Sequence, residues 1–186
     1  MKKGFDNIFY GFLIISFSIN IGGIRILPGF LGALLIFLGL SEISKISEID
    51  SFKKAKNISF VLFLAYILSD IFEYINSIKI IDTMLTGTYM VMMNTLGMIA
   101  FYYIFEAIIE YYNENDLDEL ASDTKLNQTL YLIMEFINII LINFIMFFNK
   151  LYLTFVVWPL SILILICLLG VLSQTRKVKF DEAKSI

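Results

Sequence analysis

Long apolar stretches separated by short polar segments run along almost the whole chain. The first stretch, Ile8–Leu40, contains 33 residues and one charge, that of Arg25. A single helix of this length would be about 50 Å long, whereas a bilayer core is about 30 Å thick. Gly22, Gly23 and Pro28 interrupt the helical pattern near its middle. The stretch therefore predicts two helices joined by a tip that carries Arg25 and Pro28. A re-entrant hairpin is the alternative that the pattern leaves open.

Four further apolar stretches follow, and they predict an all-α, polytopic membrane bundle. The six predicted membrane helices cover residues 8–21, 27–40, 58–75, 84–105, 128–148 and 151–172. Their connections alternate between short tips and longer polar segments, as expected for three helical hairpins in a single membrane domain. The longer segments are the loops 41–57 and 113–126, and a polar tail covers 173–186.

The composition identifies lipid as the solvent of these helices. The chain is 59% hydrophobic and its mean hydropathy is +0.81, whereas soluble domains are about 45–50% apolar. A soluble core of this size cannot hide so much apolar surface. The formal net charge of −3 gives no support for nucleic-acid binding. The expected surroundings are therefore a lipid bilayer, with no nucleic acid as a partner.

The distribution of lysine and arginine predicts the orientation. With the N-terminus in the cytoplasm, 11 basic residues lie on the inner side and three on the outer side, which agrees with the positive-inside rule. The outer three are Arg25, Lys79 and Lys150. Both termini are therefore expected in the cytoplasm of a bacterial cell, with the protein in the cell membrane. Lys2 and Lys3 precede the first apolar stretch like the start of a signal peptide, but without a clear cleavage site they indicate an uncleaved anchor.

The two longer loops carry weaker signals. In the loop 41–57, Ile43, Ile46, Ile49 and Phe52 recur every three residues. This spacing fits either a short interfacial helix or an extension of the second membrane helix. The loop 113–126 is acidic, but it lacks the glycine turn and the spaced glutamate of a calcium loop. It is therefore expected to be a solvated loop.

The absence of particular residue types excludes several kinds of chemistry. The sequence contains no histidine and one cysteine, Cys167. An intrachain disulfide, a histidine metal site, a Ser–His pair and an HExxH zinc site are therefore impossible. We expect no metal, no cofactor and no enzymatic activity.

Polar residues inside the predicted helices are the candidates for function. They are Asp70, Glu73, Asn94, Glu135 and Asn138. Such residues are costly in a membrane and face other helices or water. One hypothesis is a polar track for a cation or protons, in which Glu135 titrates. The alternative is hydrogen bonding between helices, with Arg25 pairing with Asp70 or Glu73. A substrate pocket is a third possibility.

Small residues form one face of the second predicted helix. They are Gly29, Gly32, Ala33 and Gly39. Such a face is typical of close helix packing. Its neighbour can be another helix of the same chain or a partner. On the last helix, Trp158–Pro159 predicts a kink.

The first hairpin resembles the N-terminal pattern of a family of small multi-pass bacterial membrane proteins. In that pattern, two apolar stretches flank the motif ILPxFxG, here Ile26, Leu27, Pro28, Phe30 and Gly32. Gly29 stands where the pattern often has a polar residue. The resemblance covers about a fifth of the chain and implies location and topology, but no activity.

Together these features favour a non-enzymatic accessory or interaction subunit of the cell membrane. It would bind a membrane-protein partner or form a homo-oligomer. The alternative is a small transport protein, or a transporter subunit, that uses the intramembrane carboxylates.

Overall fold

Six α-helices make up most of the described structure. A computed structural model describes residues 1–16, 20–21, 24–25, 28–76, 83–148 and 153–178. The helices are α1 (Lys2–Ser16), α2 (Gly29–Ile46), α3 (Asp50–Asn76), α4 (Thr83–Glu114), α5 (Asp118–Phe148) and α6 (Thr154–Lys177). Between α1 and α2, the two-residue strands β1 (Asn20–Ile21) and β2 (Ile24–Arg25) pair in antiparallel fashion.

Four of these helices contain stretches that are long and apolar enough to cross a membrane. The stretches are Gly29–Ile46, Val91–Glu114, Asp118–Ile145 and Phe155–Lys177. Large apolar side chains on the last two are exposed at the surface of the bundle; Phe155, for example, is 83% exposed. Such a surface is stable in lipid but costly in water. The chain is therefore a helical bundle of the membrane-protein type.

The helices form a closed ring in chain order. Each helix packs against the next one, and α6 packs against α1. The two ends of the bundle along the helix axes differ. We call the end that contains the start of α1 and the end of α6 the proximal end, and the opposite end the distal end. The well-packed core lies in the proximal half, where Phe5, Phe52, Phe105, Tyr112 and Leu172 are almost completely buried.

Two pairs of glycines bring α1 and α2 into close contact. Gly4 lies against Gly39, and Gly11 lies against Gly32. A Cβ atom built on Gly11 would stand 2.5 Å from the carbonyl oxygen of Gly32. The glycines therefore allow the two antiparallel backbones to approach more closely than any side chain would permit.

The predicted polar loops are largely helical, which corrects their boundaries. Helix α2 continues to Ile46 and α3 already begins at Asp50, so 47–49 is the whole connection within the predicted loop 41–57. Asp50 lies in the first turn of α3, where its negative charge interacts favourably with the helix dipole. Lys53 hydrogen-bonds Asp50 at 2.9 Å, and this bond together with the lysine charge lowers the pKa of Asp50.

The acidic loop 113–126 is likewise reduced to a short turn. The turn consists of residues 115–117, and α5 begins at Asp118. The Leu117 N–H donates to the Tyr112 carbonyl at 2.9 Å, and the Asp116 N–H donates to the Asn113 carbonyl at 3.4 Å. These two bonds define a Schellman motif. Asp116 has the left-handed φ of 57° that this motif requires.

The first helix also ends earlier than predicted. Helix α1 is described as Lys2–Ser16, whereas the apolar pattern predicted helix to residue 21. Asn20 and Ile21 are extended and pair with Arg25 and Ile24. The strand pairing gives these residues backbone hydrogen-bond partners outside a helix, so the connection between α1 and α2 begins before Gly22.

Candidate functional site

The distal half of the bundle contains a cavity with a volume of about 710 Å³. Its wall is formed by α1, α3, α4, α5 and α6, and it is mostly apolar. The wall side chains that carry oxygen atoms are Ser16, Tyr66, Asn94, Tyr131, Glu135 and Ser161. Phe12, Phe101, Tyr131 and Trp158 add aromatic surface. A volume of this size, with few polar groups in an apolar wall, is typical of sites for small organic molecules.

The positions of the wall residues along their helices give the depth of the cavity. Ser16 ends α1, and Trp158 lies in the second turn of α6, so both mark the distal end. Trp158 is 74% exposed. Glu135 lies 13 residues before the end of α5, which places it about 20 Å from the distal end of that helix. The carboxylate is therefore deep in the bundle, near the middle of its length.

Aromatic rings form the floor of the cavity. The rings of Phe12 and Phe101 are 4.9 Å apart, those of Phe101 and Tyr131 are 6.0 Å apart, and those of Phe105 and Tyr131 are 5.6 Å apart. Three of these contacting residues also line the cavity, whereas Phe105 lies beneath it. This aromatic floor separates Glu135 from the carboxylates nearer the proximal end.

Below the aromatic floor, side-chain hydrogen bonds join helices that are distant in sequence. The Gln128 amide donates to Glu106 at 3.0 Å, which links α5 to α4. Ser51 donates to Glu110 at 2.7 Å, which links α3 to α4. Satisfied polar groups of this kind are stabilising inside a membrane bundle. Glu106 and Glu110 thus each have a specific neighbour in the structure.

An ion pair completes the proximal end by joining α1 to α6. The Arg176 side chain donates to Asp6, and its guanidinium lies 4.4 Å from the centre of the Phe9 ring. Nearby, the Tyr112 hydroxyl donates to Thr175 at 2.9 Å, and Thr175 donates to the Val171 carbonyl. The proximal half is therefore closed by apolar packing and by specific polar contacts.

The structure brings together three of the five predicted polar residues. Asn94 and Glu135 both lie on the cavity wall, whereas Asp70 and Asn138 do not line it. Asn138 is buried, 7% exposed, and its side chain neighbours the Glu135 carboxylate. The side chains of Glu73 and Arg25 lie outside the described residues, and so does their predicted pairing.

The predicted small-residue face lies against other helices of the same chain. Gly32 and Gly39 contact α1, and Gly29 lies against the ring of Tyr66 on α3. Ala33 is completely buried. Pro28 immediately precedes α2 and has a φ of −66°, which is the value that the proline ring imposes.

Several wall and packing residues were not anticipated from the sequence. Gly97, Ser16 and Ser161 carry no distinctive local pattern. Gly4 and Gly11 do carry a signal, because they are seven residues apart, as are Gly32 and Gly39. Matching glycine spacings on two antiparallel helices can align in pairs.

Within the described residues, no group of three cysteine, aspartate or glutamate side chains is placed to hold a metal ion. Comparison with known proteins gave no match to a family model, to a curated protein or to a solved structure.

Proposed function

We propose that the chain is a six-span membrane protein that binds a small solute in the distal cavity, as a transport protein or a transporter subunit. The observation that carries this proposal is the cavity of about 710 Å³ with Glu135 and Asn94 on its wall. An apolar pocket with a few convergent polar groups is the usual form of a small-molecule site.

The ring of helices supports six spans. The four apolar helices need neighbours of similar depth, and α1 and α3 fill the remaining places in the same ring. The proposed arrangement is three hairpins with the proximal end in the cytoplasm of a bacterial cell, and the distribution of basic residues supports it. In this orientation the distal half, which contains the cavity, lies toward the outside of the cell.

The accessory role is the less favoured function. The features that favour it are the small-residue face, which either another helix of the chain or a partner can cover, and the polar residues inside the helices. Gly32 and Gly39 are instead covered by Gly11 and Gly4 of the same chain. Solute binding, in contrast, gives a role to the distal cavity, which the packing of the helices does not use.

Gly97 offers a direct test because it lies on the cavity wall with no atom within 4 Å of the position of a Cβ. Gly170 also has open space at this position, but it does not line the cavity. We would place Gly97→Cys and Gly170→Cys separately in a Cys167→Ala background. Intact cells would then be treated with membrane-impermeant methanethiosulfonates, one cationic and one anionic.

We expect at least one of the two reagents to modify Gly97→Cys from outside the cell. Gly170→Cys should stay unmodified, because a thiol that faces lipid does not ionise. Modification only after permeabilisation would reverse the orientation. If neither reagent modifies Gly97→Cys under either condition, the cavity is closed to water and solute binding is refuted.

A further inference from the structure

We infer that the distal cavity binds a small organic cation, with the ammonium group next to Glu135 and the apolar body against the aromatic wall. This inference rests on the proposed function, because it assigns the class of solute. It is carried by the charge of the wall, by the kind of surface around that charge and by the size of the space.

The charge of the wall comes first. Among the wall residues of the described chain, Glu135 is the one with a formally charged side chain. A carboxylate about 20 Å from the end of its helix attracts a positive charge, and a cation bound beside it also offsets the cost of keeping the carboxylate charged inside the bundle. An anionic solute would meet this carboxylate without a basic wall residue to compensate for it.

The surface around Glu135 distinguishes an organic cation from a metal ion. Calcium requires six to eight oxygen ligands, and magnesium requires a complete octahedron. The wall offers one carboxylate, one amide and four hydroxyl groups on five different helices, and among the described residues no three carboxylate or cysteine side chains are placed to hold a metal ion. Tyr66, Tyr131 and Trp158 instead present aromatic rings, and aromatic faces attract ammonium groups.

The size of the space supports the same assignment. A volume of about 710 Å³ is many times that of an inorganic ion but suits a molecule with an apolar body. The aromatic floor formed by Phe12, Phe101, Phe105 and Tyr131 lies below Glu135. A ligand in the cavity therefore stops with its charged group at the carboxylate.

The test uses the sole tryptophan of the chain, Trp158, as the reporter. Purified protein in nanodiscs would be titrated with benzyltrimethylammonium and, separately, with benzoate, which has a similar aromatic body and the opposite charge. Trp158 fluorescence measures occupancy of the cavity. Protection of Gly97→Cys from methanethiosulfonate modification measures the same event independently.

We expect a saturable fluorescence change and protection of Gly97→Cys with the cation, and neither with benzoate. Glu135→Gln keeps the shape of the side chain and removes its charge, so the half-saturating concentration should rise about tenfold or more. The matched control is Glu114→Gln at the exposed proximal end of α4, which makes the same charge change outside the cavity and should bind like the wild type.

The outcomes separate the two proposals. Equal binding of benzoate, or unchanged binding of the cation by Glu135→Gln, overturns the cation assignment and leaves solute binding intact. If Gly97→Cys is accessible and the cation gives neither signal, the cation assignment alone fails. An inaccessible Gly97→Cys refutes the solute-binding function itself.

Discussion

Replacing Gly11 by alanine tests the close packing of α1 on α2. The new Cβ would lie 2.5 Å from the Gly32 carbonyl oxygen and 2.9 Å from the Ile36 backbone nitrogen. Both neighbours are backbone atoms of a helix, so no side-chain rotation relieves the overlap. Ordinary contacts begin near 3.4 Å, and the two helices must therefore separate by roughly 1 Å in a region packed at crystal-like density.

The expected loss of stability follows from two opposing terms. Overpacking costs about 1–3 kcal/mol, whereas replacing a helical glycine by alanine contributes up to about 1 kcal/mol. We therefore expect Gly11→Ala to lower the free energy of unfolding by about 1–2 kcal/mol. The measurement is unfolding by titration with a denaturing detergent, followed by circular dichroism and by Trp158 fluorescence.

Gly170→Ala is the matched control, because its Cβ meets open space on α6. It carries the same gain in helix propensity without the overlap and should be as stable as the wild type or slightly more stable. If Gly11→Ala unfolds at the same detergent fraction as Gly170→Ala, the glycine contacts between α1 and α2 do not limit the approach of the helices.

Three further predictions concern polar contacts and the α4–α5 turn, and the same unfolding assay measures each of them. A double-mutant cycle with Asp6→Asn and Arg176→Gln should give a coupling energy of about 0.5–1 kcal/mol, because the pair is partly exposed; additive effects would contradict the pairing. Tyr112→Phe should cost about 1 kcal/mol by removing a buried hydrogen bond to Thr175; an unchanged midpoint in Tyr112→Phe would show that this bond contributes nothing net. Asp116→Gly should stabilise by roughly 0.5–1 kcal/mol, because glycine adopts the φ of 57° without a Cβ penalty; a loss of stability would mean that the aspartate side chain itself holds the turn.

Much of the architecture follows from local pattern. Each of the six predicted helices overlaps an observed one, because apolar stretches must satisfy their backbone hydrogen bonds internally in lipid. The boundaries differ because charged residues next to a membrane helix can continue it in water. Asp50 and Asp118 do so by starting the helices α3 and α5 with a favourable charge.

The candidate site was only partly predictable. Gln128 and Glu135 are seven residues apart on α5 and therefore share one face of that helix; Gln128 contacts α4, and Glu135 lines the cavity. Their roles nevertheless differ, because the aromatic floor lies between them. The position of a residue along its own helix does not show which aromatic side chain of a neighbouring helix lies next to it.

The sequence by itself determined the class of the protein and the limits of its chemistry. Apolar stretches of helical length specify a membrane bundle, and a chain without histidine excludes histidine-dependent catalysis and metal binding. The tertiary structure decided that Gly32 and Gly39 serve α1 rather than a partner, and that Asn94 and Glu135 share one cavity. The physical reason is that helical periodicity defines the faces of each helix, whereas only the packing of all six in a closed ring decides which faces meet and where space is left between them.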